Sequence, residues 1–322
     1  KKMLIADQLA VFVDPVFDAA GYEFALTIYE AWIGGITYAF QIYFDFSGYT
    51  DMALGLGLIF GIRLPINFFS PYKSRNISDF WGTWHITLSR FFREYLYFPL
   101  GGNRKGVGKT LLNLVVTMLL GGLWHGANWK FVVWGGLHGI YLASYHTWKN
   151  IIPSKNRYAE VCLKPLSIGL TFCTVTIAWV FFRADSIEVA MKMVGSMLGL
   201  NGLFLPMCLN EYLGGPPELY GAVFNSGVIG NPIRCISWIF FLSLIIFLLP
   251  NSVQIASYYR RGYGEKKSTQ LFRTGVDQGA VSGDLFWRFG MVTLPFIAAI
   301  IICVAIMMFE LPESTPFIYM IF

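Results

Sequence analysis

Apolar residues along the chain come in long blocks separated by short polar or basic interruptions, a spacing that predicts membrane-crossing helices rather than strands. Residues 24–44 form the first block long enough to cross, since a hydrocarbon core about 30 Å thick needs about 20 apolar residues. The polar stretch Asp45-Phe46-Ser47-Gly48-Tyr49-Thr50-Asp51 is expected to end it, and the glycine-rich run at 52–62 is too short to cross alone. Residues 64–100 scatter Trp81, Trp84, His85, Arg90, Arg93 and Glu94 among apolar positions, the pattern of interfacial or re-entrant helices. Further crossings are expected at 131–148, 161–182, 233–250 and 287–309. Between these, 110–123 supplies about 14 residues, roughly 21 Å of helix, before His125. The doublet Gly121-Gly122 is expected to interrupt that helix, which at membrane depth is tolerated only where the backbone is buried in protein or lines a cavity.

Composition supports an integral membrane protein. Of 322 residues, 55% are hydrophobic, 17% aromatic and only 13% charged, against about 25% charged in ordinary soluble domains. The mean hydropathy is +0.54. A net charge of +5 would admit nucleic acid as a partner, but the basic residues sit in short loops between apolar blocks, where they set topology instead, and no nucleic acid is expected. Lys149, Lys155, Arg157 and Lys164 oppose Glu160 in one loop, whereas 183–232 carries Asp185, Glu188, Glu211 and Glu218 against Arg183 and Lys192. The loops 101–109, 149–160 and 251–286 are therefore expected to face the cytoplasm, and 183–232 and the C-terminal tail the outside. The chain opens Lys1-Lys2-Met3 without a charged region leading into an apolar core and cleavage site, so internal spans are expected to direct insertion. Its 5 cysteines, Cys162, Cys173, Cys208, Cys235 and Cys303, form no C-x-x-C pair and read as small packing residues rather than a disulfide frame or metal site.

The candidate chemistry centres on Trp124-His125-Gly126-Ala127-Asn128-Trp129. An ionisable side chain at membrane depth is costly and is a functional candidate by default. A buried neutral imidazole can accept a proton from a hydroxyl attacking a thioester, while the plainer reading is a histidine bonded to a neighbouring helix as packing glue. His85, within Trp84-His85-Ile86-Thr87-Leu88-Ser89-Arg90, is a second candidate, its alternative being an interfacial side chain at headgroup level. His138 and His146 lie on one face of a later span and read mainly as packing. Gly108-Lys109-Thr110 mimics the end of a phosphate-binding loop, but the position of the first glycine is Asn103 and no strand precedes it, so that motif is rejected. The basic loop could still attract an acyl carrier's phosphates, though a topology anchor is its simpler role. Asp45 and Asp51 flank the expected break as ion-coupling carboxylates do in transporters, or cap helices and pair with Arg63, Lys73 or Arg75.

Several motifs in order resemble the membrane-bound O-acyltransferase (MBOAT) family, closest to its alginate and peptidoglycan O-acetylation branch. They are Phe44 to Ala53, Arg63-Leu64-Pro65-Ile66-Asn67-Phe68, Phe80-Trp81 through Leu88-Ser89, Tyr95 to Arg104, Leu119 to Trp129, Trp179-Val180-Phe181-Phe182-Arg183-Ala184 and Pro316-Phe317-Ile318-Tyr319. The resemblance implies an all-α integral membrane fold, an MBOAT-type multi-span helical bundle with short re-entrant or interfacial helices around a central funnel or tunnel, in a single domain over 1–322. It implies an acyltransferase with acetyl-CoA as donor substrate and no bound cofactor, using His125 as general base or proton acceptor and His85 to assist or orient. Asp45, Trp84, Arg90, Arg93, Asn128 and Trp129 become cavity candidates by motif membership. Membrane lipids and a separate periplasmic or extracellular SGNH-type O-acetyltransferase are the implied partners, and the bacterial cytoplasmic membrane the implied location. Family members carry several more helices before the segment resembling Lys1 to Asp7, so the chain is expected to lack that part. The rivals are a proton- or ion-coupled transporter using His125, Asp45 and Asp51, and a scaffold that only recruits an extracytoplasmic transferase.

Overall fold

A computed structural model describes residues 1–22, 26–151, 157–201, 204–206, 223–225, 228–229, 232–256 and 317. The crossing expected at 287–309, most of the basic stretch 251–286, Cys208, Cys303 and most of the closing Pro316-to-Tyr319 motif lie outside them. The described chain is almost wholly helical, as its apolar blocks require. A π-type turn, Lys2–Ala6, leads into α1 (Asp7–Gly21), followed by α2 (Ile28–Ile59), two short helices α3 (Ile77–Thr83) and α4 (Ile86–Phe92), and a π-type turn at Arg93–Tyr97. Then come α5 (Val107–Trp124), α6 (Trp129–Ile151), α7 (Arg157–Arg183), α8 (Ile187–Met197) and α9 (Pro232–Leu248). The exception to an all-α fold is a three-residue pair, β1 (Phe204–Pro206) parallel to β2 (Val223–Asn225).

α2 departs from the pattern expected of its sequence. It does not break at Asp45–Asp51 but continues as one helix of 32 residues. Its start is fixed by a capping box: Thr27 Oγ1 accepts from the Glu30 amide, and the Glu30 carboxylate accepts from the Thr27 amide at 3.0 Å. The polar stretch survives inside the helix because its polar atoms have protein partners. Lys2 Nζ lies 2.8 Å from Asp7 and 2.9 Å from the fully buried Asp45, Lys1 Nζ lies 2.8 Å from Asp51 and donates to Ser47, and Thr50 Oγ1 donates back to the Phe46 carbonyl at 2.9 Å. The aspartates thus pair with Lys1 and Lys2, not with Arg63, Lys73 or Arg75. The helix ends at a Schellman turn in which Gly61, at φ +71, donates to the Leu58 carbonyl while Ile62 donates to that of Gly57.

These two lysines differ in environment, so their loss has different costs. Lys2→Met leaves two buried carboxylates without their shared cation and is expected to destabilise by about 3–5 kcal/mol. Lys1→Met disrupts a partly exposed pair and should cost within about 1 kcal/mol. Thermal unfolding in detergent checks this, and equal midpoints for the two variants would contradict it.

α5 is likewise continuous. Gly121 and Gly122 do not interrupt it; the helix runs through them to Trp124. Their role is lateral. A Cβ on Gly122 would fall 2.1 Å from the Phe131 carbonyl oxygen, one on Gly135 2.2 Å from that of Met118, and one on Gly139 2.8 Å from Val115 Cα. α5 and α6 therefore pack as a hairpin with their backbones in contact, the arrangement small residues permit in membrane bundles. The helix also starts at Val107, which shortens the expected 101–109 loop. Asn113 ties that loop down by donating to the Gly102 carbonyl at 3.0 Å, and Gly101, Gly102 and Gly106 supply its positive-φ turns.

A core of large aromatics joins α2, α3, α6 and α7: Tyr38, Phe40, Phe80, Trp134, Trp179 and Phe182 are all fully buried. Outside it the helices present apolar faces, Leu163, Leu166 and Leu170 on α7 and Ile233, Ile236 and Phe240 on α9 being more than half exposed. Cys162 and Cys173 share the exposed face of α7, so only Cys235 among the described cysteines is a packing residue. Such faces suit lipid rather than water. Among the described residues two helical stretches, Val107–Trp124 and Cys162–Arg183, are long and apolar enough to cross a membrane, and α9 is apolar but shorter. α2 and α6 are longer but less apolar, and they carry buried polar or charged residues: Glu30, Asp45 and Ser47 on α2, Lys130 and His138 on α6.

Candidate active site

His125 caps the C-terminal end of α5, its amide donating to the Gly122 carbonyl at 3.0 Å. Only Gly126, Ala127 and Asn128 separate it from α6, and Asn128 Oδ1 receives the Lys130 amide at 3.1 Å, closing the turn. The imidazole is half-buried among rings. Its centroid lies 5.0 Å from that of Trp124, 5.1 Å from Trp134, 5.2 Å from Phe182 and 6.3 Å from Phe131. α5, α6 and α7 each contribute to this enclosure, and Lys130 Nζ locks it by donating to the Ala184 carbonyl at 2.8 Å.

His85 occupies the connection between α3 and α4 in the left-handed region, at φ +42. Few non-glycine residues adopt this conformation, histidine being among those that do, and its cost of about 1–3 kcal/mol is met only where surroundings fix it. The ring meets Phe46 edge-on at 4.9 Å, and Nδ1 lies 3.3 Å from Asn67 Oδ1. The neighbouring Trp84 contacts Trp179 at 4.9 Å, Trp179 stacks on Trp134 at 5.8 Å, and Trp134 meets His125. Both imidazoles lie in connections, outside the two apolar spans. Burial holds each down to about 4, and at His85 the neighbouring His125 imidazole, when protonated, adds to the effect. Both are therefore neutral at physiological pH, the form that can accept a proton.

The other sequence candidates divide by position. Trp84 is buried in the aromatic core, and Asp45 is buried beside Lys2 on α2. Arg90, Arg93, Asn128 and Trp129 are exposed, Trp129 by 73%, so they face the surroundings of the described chain rather than its interior. His138, read mainly as packing, is completely buried: Trp81 Nε1 donates to its Nδ1 at 3.3 Å, and the rings of Phe80 and Trp134 lie against it. Sequence reasoning missed Asn67, Trp134 and Phe182 as neighbours of the two histidines. Asn67 and Phe182 stand inside motifs already noted, but only the fold shows which histidine each one touches.

The profile of the membrane-bound O-acyltransferase family matches residues 10–181, more than half of the chain, and the chain belongs to that family. It is thus a membrane protein, in keeping with its apolar helices. It is 50% identical over 205 residues to a peptidoglycan O-acetyltransferase of Helicobacter pylori, covering 64% of this chain and 38% of that protein. To the "Probable alginate O-acetylase AlgI" of Pseudomonas putida it is 47% identical over 197 residues, 61% of this chain and 39% of the relative. A teichoic acid D-alanyltransferase of Streptococcus thermophilus is more distant, at 33% over 165 residues, 45% of this chain and 39% of the relative. The matched region thus spans 38–39% of the length of these relatives.

Proposed function

We propose that the chain belongs to a membrane O-acyltransferase that takes an acetyl group from cytoplasmic acetyl-CoA and passes it across the membrane for O-acetylation of a cell-envelope or secreted polysaccharide of the alginate or peptidoglycan type. The observation that carries this reading is the placement of His125: a neutral imidazole at a helix turn, enclosed by rings from three helices, in a chain 50% identical to a peptidoglycan O-acetyltransferase. His125 accepts the proton of the attacking hydroxyl as its oxygen bonds the acyl carbon and the thiolate leaves, and His85 assists. Of the second-line candidates, Trp84 lies in the aromatic core linked to the site, while Asp45, Arg90, Arg93, Asn128 and Trp129 are kept as substrate-binding candidates by motif membership alone. The protein spans the bacterial cytoplasmic membrane several times, with loops 101–109, 149–160 and 251–286 inside, and hands the acyl group to a periplasmic or extracellular SGNH-type O-acetyltransferase.

Reconstitution of the full-length protein in liposomes separates this reading from its rivals. Release of free coenzyme A from acetyl-CoA that depends on the protein is the expected result. Proton or ion flux with no donor consumption would replace the enzyme with a transporter, and neither activity would leave a scaffold.

A further inference from the structure

Asn67 does more than fill the space beside His85. Its Oδ1 lies 3.1 Å from the Thr87 amide nitrogen, 2.7 Å from Thr87 Oγ1 and 3.3 Å from His85 Nδ1. A backbone N–H can only donate, so the side-chain atom facing Thr87 is the amide oxygen, and that oxygen can only accept. The ring nitrogen of His85 that shares it must then carry a proton. The backbone of Asn67 is fixed as well, because its carbonyl accepts from the Ile86 amide at 3.0 Å. α4 needs such help. His85, its N-cap residue, makes no side-chain cap bond, and Asn67 reaches across 20 residues to cap the first turn in its place.

We infer that Asn67 is a positioning residue that holds neutral His85 as the Nδ1–H tautomer, with the lone pair on Nε2. The inference rests on the acyltransferase reading for its consequence but not for its geometry. His85 then enters the reaction as an acceptor at Nε2, able to take a hydrogen bond from the incoming hydroxyl or from an imidazole N–H of His125. It cannot, while neutral, donate from Nε2 to an acyl carbonyl. The left-handed backbone of His85 serves the same end, since it turns the ring toward Asn67 while Ile86 begins the next helix.

The test reads the tautomer directly. The chain has 4 histidines, so nitrogen NMR of the detergent-solubilised full-length protein, labelled with 15N-histidine, gives a small set of ring signals that His85→Gln assigns by deletion. The expected result is a protonated Nδ1 and an unprotonated Nε2 at His85. Asn67→Leu should release that bias and lower kcat about ten-fold with little change in KM, the rate equivalent of one lost hydrogen bond. Asn67→Asp keeps an acceptor at the same place and should restore both the tautomer and most of the rate. An unprotonated Nδ1 in the unaltered protein overturns the inference, whether or not Asn67→Leu folds. The correct tautomer in a protein that turns over no acyl donor would leave the inference standing and remove the proposed function instead.

Discussion

Replacing His125 by alanine is expected to lower acyl transfer by about 10²- to 10⁴-fold, the range that a positioned general base contributes, while protein level and membrane insertion stay intact. The geometry explains why the two effects separate. His125 holds the end of α5 through its backbone, the amide bonding the Gly122 carbonyl, and alanine preserves that bond. Its ring sits half-buried at the edge of the aromatic enclosure, whereas the fully buried Trp134 and Phe182 fill the interior and remain in the variant. Glycan acetylation followed by mass spectrometry, with the variant's abundance in membranes as control, reads the outcome. Acetylation retained at normal abundance would remove His125 from the mechanism and return it to the role of a packing histidine.

The second large effect is expected on stability. Alanine at Gly122 or Gly135 drives a Cβ to 2.1 or 2.2 Å from a backbone carbonyl oxygen of the opposing helix, which no side-chain rotation can relieve. The two helices must move apart, at a cost at or above the roughly 1–3 kcal/mol of ordinary overpacking. Gly169→Ala is the matched control, because a Cβ there meets nothing within 4 Å, and in a helix it should be neutral or stabilising by about 0.5–1 kcal/mol. Thermal unfolding in detergent should show a clear drop in midpoint for the first two and none for the third. Equal behaviour of all three would mean that the backbones of α5 and α6 do not touch. Gly122→Ala also displaces the carbonyl that holds the His125 amide, so its activity should fall further than its stability alone predicts.

The helical blocks were legible from the sequence because a run of apolar residues is local information, and His125 and His85 stood out as candidates in the same way. What escaped were features decided by partners far along the chain. Asp45 looked like the end of a helix because nothing within a turn of it neutralises its charge. Its cation, Lys2, lies 43 positions earlier. Gly121-Gly122 looked like a break because glycine weakens helices, and only the fold shows that Gly122 faces Phe131 and Gly135 while Gly121 faces the Phe92 ring. Asn67 stood inside a family-like motif with no stated task, 18 positions from the histidine it touches. The short helices expected between 64 and 100 did appear, as α3 and α4; the Asn76 cap of α3 is local, whereas the first turn of α4 is capped from Asn67, 20 positions away.

Under the proposed function, the continuity of α5 constrains the route of the acyl group. With 18 residues at 1.5 Å each, the helix holds the basic Gly101-to-Gly106 turn and His125 about 27 Å apart, close to the full thickness of a hydrocarbon core. With that turn on the cytoplasmic side, as proposed, the imidazole lies toward the opposite leaflet. A donor that leaves its phosphates at the turn must then thread its thioester arm most of the way through the protein before reaching the base. On this layout carrying the acetyl group outward and cleaving it from its carrier become one event, so that the passage needs to admit only a narrow chain and never a free acetyl group.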